Sequence, residues 1–122
     1  MQIIVSKEDV ATIPKGGARC LSGLDDSKKA VPIIVHRGVD GSSFRACLNK
    51  CSHMGARFAP DIEEFGTLKC VMHGWKLNPA TMTYDAATCP DGATVGSQPE
   101  LEVSKNADGS LTLKGGEACV IA

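Results

Sequence analysis

The chain is short of aromatic residues, of histidine and of any surplus of charge. Phe, Trp and Tyr supply 4% of its 122 residues, with one Trp and one Tyr, and there are three His. Thirteen Lys and Arg against fourteen Asp and Glu leave a formal charge of −1. The basic residues are scattered, which excludes the concentrated positive field of a nucleic-acid or anionic-lipid docking surface. No apolar run reaches the length of a membrane span. The opening Met1-Gln2-Ile3-Ile4-Val5 lacks a basic n-region and no twin-arginine pair is present, so a cytoplasmic location is expected. Helix-period segments are nearly absent as well, and no internal repeat or low-complexity stretch occurs.

What the chain does have is turn chemistry. Thirteen Gly and six Pro accompany 43% hydrophobic residues, a balance that suits a folded, turn-rich protein and not a disordered one. The length implies one domain, residues 1–122. Ile3 to Val5 reads as a first strand, and Ser6 with Asp9 marks a short helix start before Val10 to Ile13. Short strand-like segments follow: 18–22, 31–36, 43–48, 67–70, 75–77, 82–84, 101–104 and 110–114. The turns between them are Asp25-Asp26-Ser27, Gly38 with Asp40-Gly41, Asn78-Pro79, Asp91-Gly92 and 106–109. Many short strands with little helix predict an all-β fold, an antiparallel β-sandwich or partly closed barrel. Alternation in Ser43-Phe44-Arg45-Ala46-Cys47-Leu48 places Phe44, Ala46 and Leu48 on one face and leads directly into Cys51.

Two runs carry the chemistry, Cys51-Ser52-His53 and Cys70-Val71-Met72-His73. Each pairs a thiolate with an imidazole and each leads into a glycine, Gly55 and Gly74, where backbone N–H groups can approach an anionic core. Two Cys and two His suit either a [2Fe–2S] cluster with His₂ on one iron or a structural zinc ion. Zinc sites typically pair like ligands as C-x₂₋₄-C and H-x₃₋₅-H, which a C-x-H pair matches poorly. Cys20, Cys47, Cys89 and Cys119 are expected to be buried thiols in a reducing compartment. His36, at a strand end before Arg37-Gly38, is expected at the surface and not as a ligand.

The pattern of Cys-x-His, a sixteen-residue connection from Met54 to Lys69, then Cys-x-x-His, resembles the Rieske family. The resemblance implies a Rieske-type [2Fe–2S] cluster held by Cys51, His53, Cys70 and His73, in a cluster-binding subdomain of about residues 47–92 inserted in the barrel. The high-potential members of that family carry a further Cys in each ligand loop and a Ser after the second His-Gly. Here Ala56, Met72 and Trp75 stand instead, which resembles the ferredoxin and oxygenase branch. Cys47 through Tyr84 is similar to the Rieske part of the CMP-N-acetylneuraminate hydroxylase family, including Cys47-Leu48-Asn49-Lys50-Cys51 and Thr81-Met82-Thr83-Tyr84. Segments around Cys89-Pro90 and Gln98-Pro99 resemble the loop that covers the cluster.

What the resemblance implies is a one-electron carrier, a monomer passing electrons from a reductase to a terminal oxygenase or hydroxylase. The alternative is a non-catalytic Rieske subunit, or separately encoded domain, held in a larger redox enzyme. A self-contained oxygenase is not expected, because a mononuclear iron site of the 2-His-1-carboxylate type needs two more histidines and only His36 remains.

Overall fold

The direction in which each side chain faces follows from strand alternation, and it divides the apolar residues between two cores. The computed structural model describes residues 2–49, 58–60, 68–70, 76–84 and 100–115. In chain order the elements are β1 (Gln2–Val5), α1 (Lys7–Ala11), β2 (Ala18–Leu24), β3 (Ala30–Arg37), β4 (Phe44–Leu48), β5 (Phe58–Pro60), β6 (Leu68–Cys70), β7 (Lys76–Asn78), β8 (Thr83–Tyr84), β9 (Glu102–Lys105) and β10 (Leu111–Lys114). They form a six-stranded sheet, β4-β3-β2-β1-β10-β9, and a four-stranded sheet, β5-β6-β7-β8. Every pairing is antiparallel.

The larger sheet curls until its two edges meet. An antiparallel bridge joins Ala46 in β4 to Leu101, just before β9, and Leu101 N–H donates to the Ala46 carbonyl at 2.8 Å. The result is a nearly closed barrel, the all-β architecture expected from the strand pattern. Its interior is filled by Ile3, Val5, Val10, Ile13, Ile33, Val35, Ala46, Leu101, Leu111 and Leu113. Full burial of one such Leu, Ile or Val side chain stabilises the fold by about 1.5–3 kcal/mol. Phe44 and Leu48 pack on the same core as Ala46, as the alternation of β4 predicts.

The opposite face of β2–β4 builds the second core. Ile34 and Cys47, neighbours of Ile33, Val35 and Ala46 in sequence, point the other way and pack with Phe58, Leu68, Leu77 and Met82 of the smaller sheet. Ala18 and Cys20 of β2 join that cluster from the same face. Period-two alternation therefore makes β3 and β4 a wall with apolar side chains on both sides.

Local signals explain the element ends. Ser6 caps α1, its Oγ accepting the Asp9 N–H at 3.2 Å, with Glu8 and Asp9 in the first turn, where acidic residues suit the helix N-terminus. The helix stops at Ala11, shorter than the run to Ile13 suggested, because Pro14 and the Gly16-Gly17 pair follow. The β2–β3 connection is fixed by Asp25, whose Oδ1 accepts the Ser27 and Lys29 N–H groups at 2.8 and 3.0 Å. In the β3–β4 connection Asp40 accepts from the Ser42 and Ser43 backbones and the Ser43 hydroxyl, which holds its carboxyl at about 2. Strand β5 was not foreseen. It is three residues long and ends in Pro60, which an edge strand tolerates because its outer N–H groups need no ladder partner.

Candidate metal centre

The smaller sheet is a meander, and its register decides where the two ligand-bearing runs attach. Phe58 faces Cys70, Lys69 faces Lys76, and Leu77 faces Tyr84. The first residue of β5, the last of β6, the first of β7 and the last of β8 thus share one end of the sheet. The run containing Cys51 and His53 enters there at Phe58. The run containing His73 leaves there at Cys70 and returns at Lys76. The stretch from residue 85 to 99, with Cys89 and the two prolines, also departs from that end, at Tyr84. Cys51, His53, His73, Met54, Ala56, Met72, Trp75 and Cys89 lie outside the described residues, as does Cys119; Cys70 is described as part of β6.

The entry to the first run is held by a buried amide. Asn49, 7% exposed, directly follows β4, and its backbone N–H donates to the Pro32 carbonyl at 3.0 Å. Its side chain engages both backbone groups of Phe58. The Phe58 N–H donates to Asn49 Oδ1 at 2.7 Å and Asn49 Nδ2 donates to the Phe58 carbonyl at 3.4 Å. The Cys20 thiol also donates weakly to that carbonyl, at 3.7 Å. Spacing alone did not single out Asn49, since neither its burial nor its partner nine residues on is a local pattern.

A second tie lies at the other foot of the segment between β4 and β9. Arg45 forms a two-pronged pair with Glu100, Nε to Oε1 and Nη2 to Oε2, both at 2.9 Å, and its Nη1 donates to the Ala80 carbonyl at 2.6 Å. The paired side chains are 41% and 38% exposed, so the net stabilisation is about 0–1 kcal/mol. The geometric effect is larger than the energetic one: one guanidinium fixes the β7–β8 turn and the chain's return towards β9.

The titratable groups beneath the sheet are held neutral. Burial raises the Cys20 thiol above its ordinary value, against a small opposing pull from Arg19, so Cys20 stays protonated and is a poor metal ligand. Cys47 is fully buried in the second core, as expected. His36 departs from the surface position expected of it. It is 7% exposed, on the same face of β3 as Ile34. Burial lowers its pKa and the Arg45 charge adds to that, while a hydrogen bond to the Gly16 backbone opposes it. Its strand-end position suggested solvent, but β3 is flanked there on both sides, with Ala18 and Arg45 as its register neighbours.

Residues 7–99 match the Rieske [2Fe-2S] domain family. Over 109 residues the chain is 47% identical to the cytidine monophosphate-N-acetylneuraminic acid hydroxylase of Danio rerio, covering 87% of this chain and 17% of that protein. It is 44% identical over 72 residues to the hydroxylase of the same name from Asterias rubens, covering 57% of this chain and 10% of the other. The chain thus spans a small part of the relatives it matches. Among solved structures, it is similar to a chain in a carbazole-bound oxygenase and ferredoxin complex of carbazole 1,9a-dioxygenase, with TM-score 0.58, 21% identity and coverage of 93% of this chain and 27% of that one. A chain in a complex of reduced oxygenase and oxidized ferredoxin of the same system gives TM-score 0.51 at 20% identity, covering 93% and 90%. At these identities the likeness is one of fold.

Proposed function

Because the chain belongs to the Rieske [2Fe-2S] domain family, we propose that it is a Rieske-type ferredoxin, a one-electron carrier between a reductase and a terminal oxygenase or hydroxylase. Its cofactor is a Rieske-type [2Fe–2S] cluster. When bound, the cluster supplies a single-electron couple. Cys51 and Cys70 would hold one iron as thiolates, and His53 and His73 the other through imidazole nitrogen. The observation that carries this reading is the common end of the small sheet, where the bases of both ligand runs meet. The donor set fits, since two thiolates and two imidazoles in mixed pairs suit a centre whose irons differ in ligation.

The rest of the chain serves placement. Residues 47–92 form the cluster-binding part, and the apolar core of Ile34, Cys47, Phe58, Leu68, Leu77 and Met82 seats it on the barrel. With a net charge of −1 and Met54 next to His53, docking to a redox partner is weak and transient, as shuttling requires, and the carrier works as a monomer in the cytoplasm. Among the described residues no helix is long and apolar enough to cross a membrane.

A second reading has its own support. The hydroxylase of Danio rerio aligns with most of this chain, yet the match occupies 17% of that protein. A Rieske domain held with a larger catalytic region would give the same relation.

The test is visible absorption and EPR of the purified protein with reductive titration. Colour, a reduced-state EPR signal and uptake of one electron per chain are expected; a colourless, EPR-silent zinc protein would overturn the reading. Size-exclusion chromatography with a candidate oxygenase separates shuttle from subunit, since a shuttle elutes alone.

A further inference from the structure

The Asn49 side chain ties the foot of the first ligand run to the first residue of β5. A buried amide left unpaired is costly, and here both of its arms are used on a single residue, Phe58. Its orientation follows from its partners, because the Phe58 N–H requires an oxygen and the Phe58 carbonyl requires a donor. Among the described residues, β5 is the outer strand of the small sheet. At Phe58 the Asn49 amide supplies both an acceptor and a donor to the backbone of that strand.

The consequence concerns the stretch between them. Residues 50–57, which include Cys51 and His53, join Asn49 to Phe58, so the amide fixes the two described residues that flank them relative to each other. Phe58 is in turn the register partner of Cys70. The path Asn49 side chain, Phe58 backbone, Cys70 backbone therefore runs from the foot of one ligand run to a ligand of the other. The Pro32 carbonyl holds the Asn49 backbone, and Cys20 reinforces the Phe58 carbonyl, so this path is anchored to β2 and β3 of the barrel.

We propose that Asn49 is a positioning residue for the [2Fe–2S] cluster, setting the Cys51 and His53 run in register with the Cys70 and His73 run through its paired hydrogen bonds to Phe58. This rests on the reading that those four residues hold the cluster. Asp at this position keeps the acceptor for the Phe58 N–H and loses the donor; Ala loses both. The Arg45–Glu100 tie, which braces the other foot of the segment, supplies the comparison.

The experiment compares wild type, Asn49→Ala, Asn49→Asp and Arg45→Ala, each loaded with cluster. It follows chelator-driven bleaching, the EPR spectrum of the reduced state and far-UV circular dichroism on heating. Asn49→Ala should lose its cluster about tenfold or more faster than wild type, the scale set by residues that orient metal ligands. Its EPR signal should shift or broaden, with Asn49→Asp between Ala and wild type and Arg45→Ala near wild type. Bleaching of Asn49→Ala at the wild-type rate with an unchanged EPR spectrum would overturn the proposal. Should Asn49→Ala fail to fold, hydrogen exchange in the wild type decides: a slowly exchanging Phe58 amide supports the proposal and a fast one overturns it. A wild type that takes up no cluster would instead sink the ligand reading, and the proposal with it.

Discussion

Met82 offers a test in which two backbone and side-chain effects oppose each other. It lies in the β7–β8 connection with φ of 55° and is fully buried, 0% exposed, in the core beneath the small sheet. Left-handed backbone at a non-glycine residue costs about 1–2 kcal/mol. Removal of a buried Met side chain to Ala costs about 2–5 kcal/mol through lost contacts and the cavity left behind. Met82→Ala incurs the second effect and keeps the first. Met82→Gly incurs the second and removes the first, at the expense of about 0.5–1 kcal/mol of additional unfolded-state entropy. The strain relieved offsets that entropy together with the lost buried Cβ, worth about 0.8 kcal/mol, so Gly should lie within about 1 kcal/mol of Ala here instead of clearly below it as in an ordinary buried helix or strand position. For a chain of this length about 4 °C in Tm corresponds to 1 kcal/mol, so Met82→Ala should melt about 8–20 °C below wild type. The assay is far-UV circular dichroism on heating, repeated as urea unfolding at fixed temperature. A glycine variant melting about 4 °C or more below the alanine variant would refute the argument from backbone strain. An alanine variant within about 2 °C of wild type would refute the packing argument.

Three further outcomes are expected. The pKa of His36 is lowered in the folded state, so the unfolded chain binds the proton more readily; stability is full above about pH 6.5 and falls as acid is added. Urea midpoints between about pH 7.5 and 5.5 should decline less steeply for His36→Gln than for wild type, and equal slopes would count against a buried neutral imidazole. With Trp75 standing where the high-potential branch has its serine, the midpoint potential should lie near about −150 mV, the lower end of the Rieske range; voltammetry giving a value well above zero would rule this out. Cys89→Ser should leave the visible and EPR spectra unchanged, and loss of the cluster would make Cys89 a ligand.

The barrel strands were legible because their pattern is local. Ile3 and Val5 alternate with exposed Gln2 and Ile4, and Phe44, Ala46 and Leu48 share the face that their spacing assigns. The candidate ligands were named on equally local grounds, since Cys and His two or three residues apart announce donor chemistry without tertiary information. What could not be read depends on partners distant in sequence. Strand β5 has only three residues and a proline, and it exists as a strand because Leu68–Cys70 pairs with it and Asn49 holds its first residue. Arg45 and Glu100 are fifty-five positions apart, and no spacing connects them. His36 sits at a strand end before a turn, and its burial depends on neighbours remote in sequence, Ala18 and Arg45 on the flanking strands.

The bridge between Ala46 and Leu101, reinforced by the pair between Arg45 and Glu100 one step before each, brings the two feet of a long excursion side by side. An excursion with adjoining feet can lengthen, shorten or be exchanged while the scaffold below it keeps its strand register, because closure entropy rises by only about 0.6 kcal/mol for each doubling of length. The segment between those feet can therefore change in length and sequence, so long as its small sheet still packs on Ile34 and Cys47, without renegotiating the interior that Ile3, Val35 and Leu113 fill.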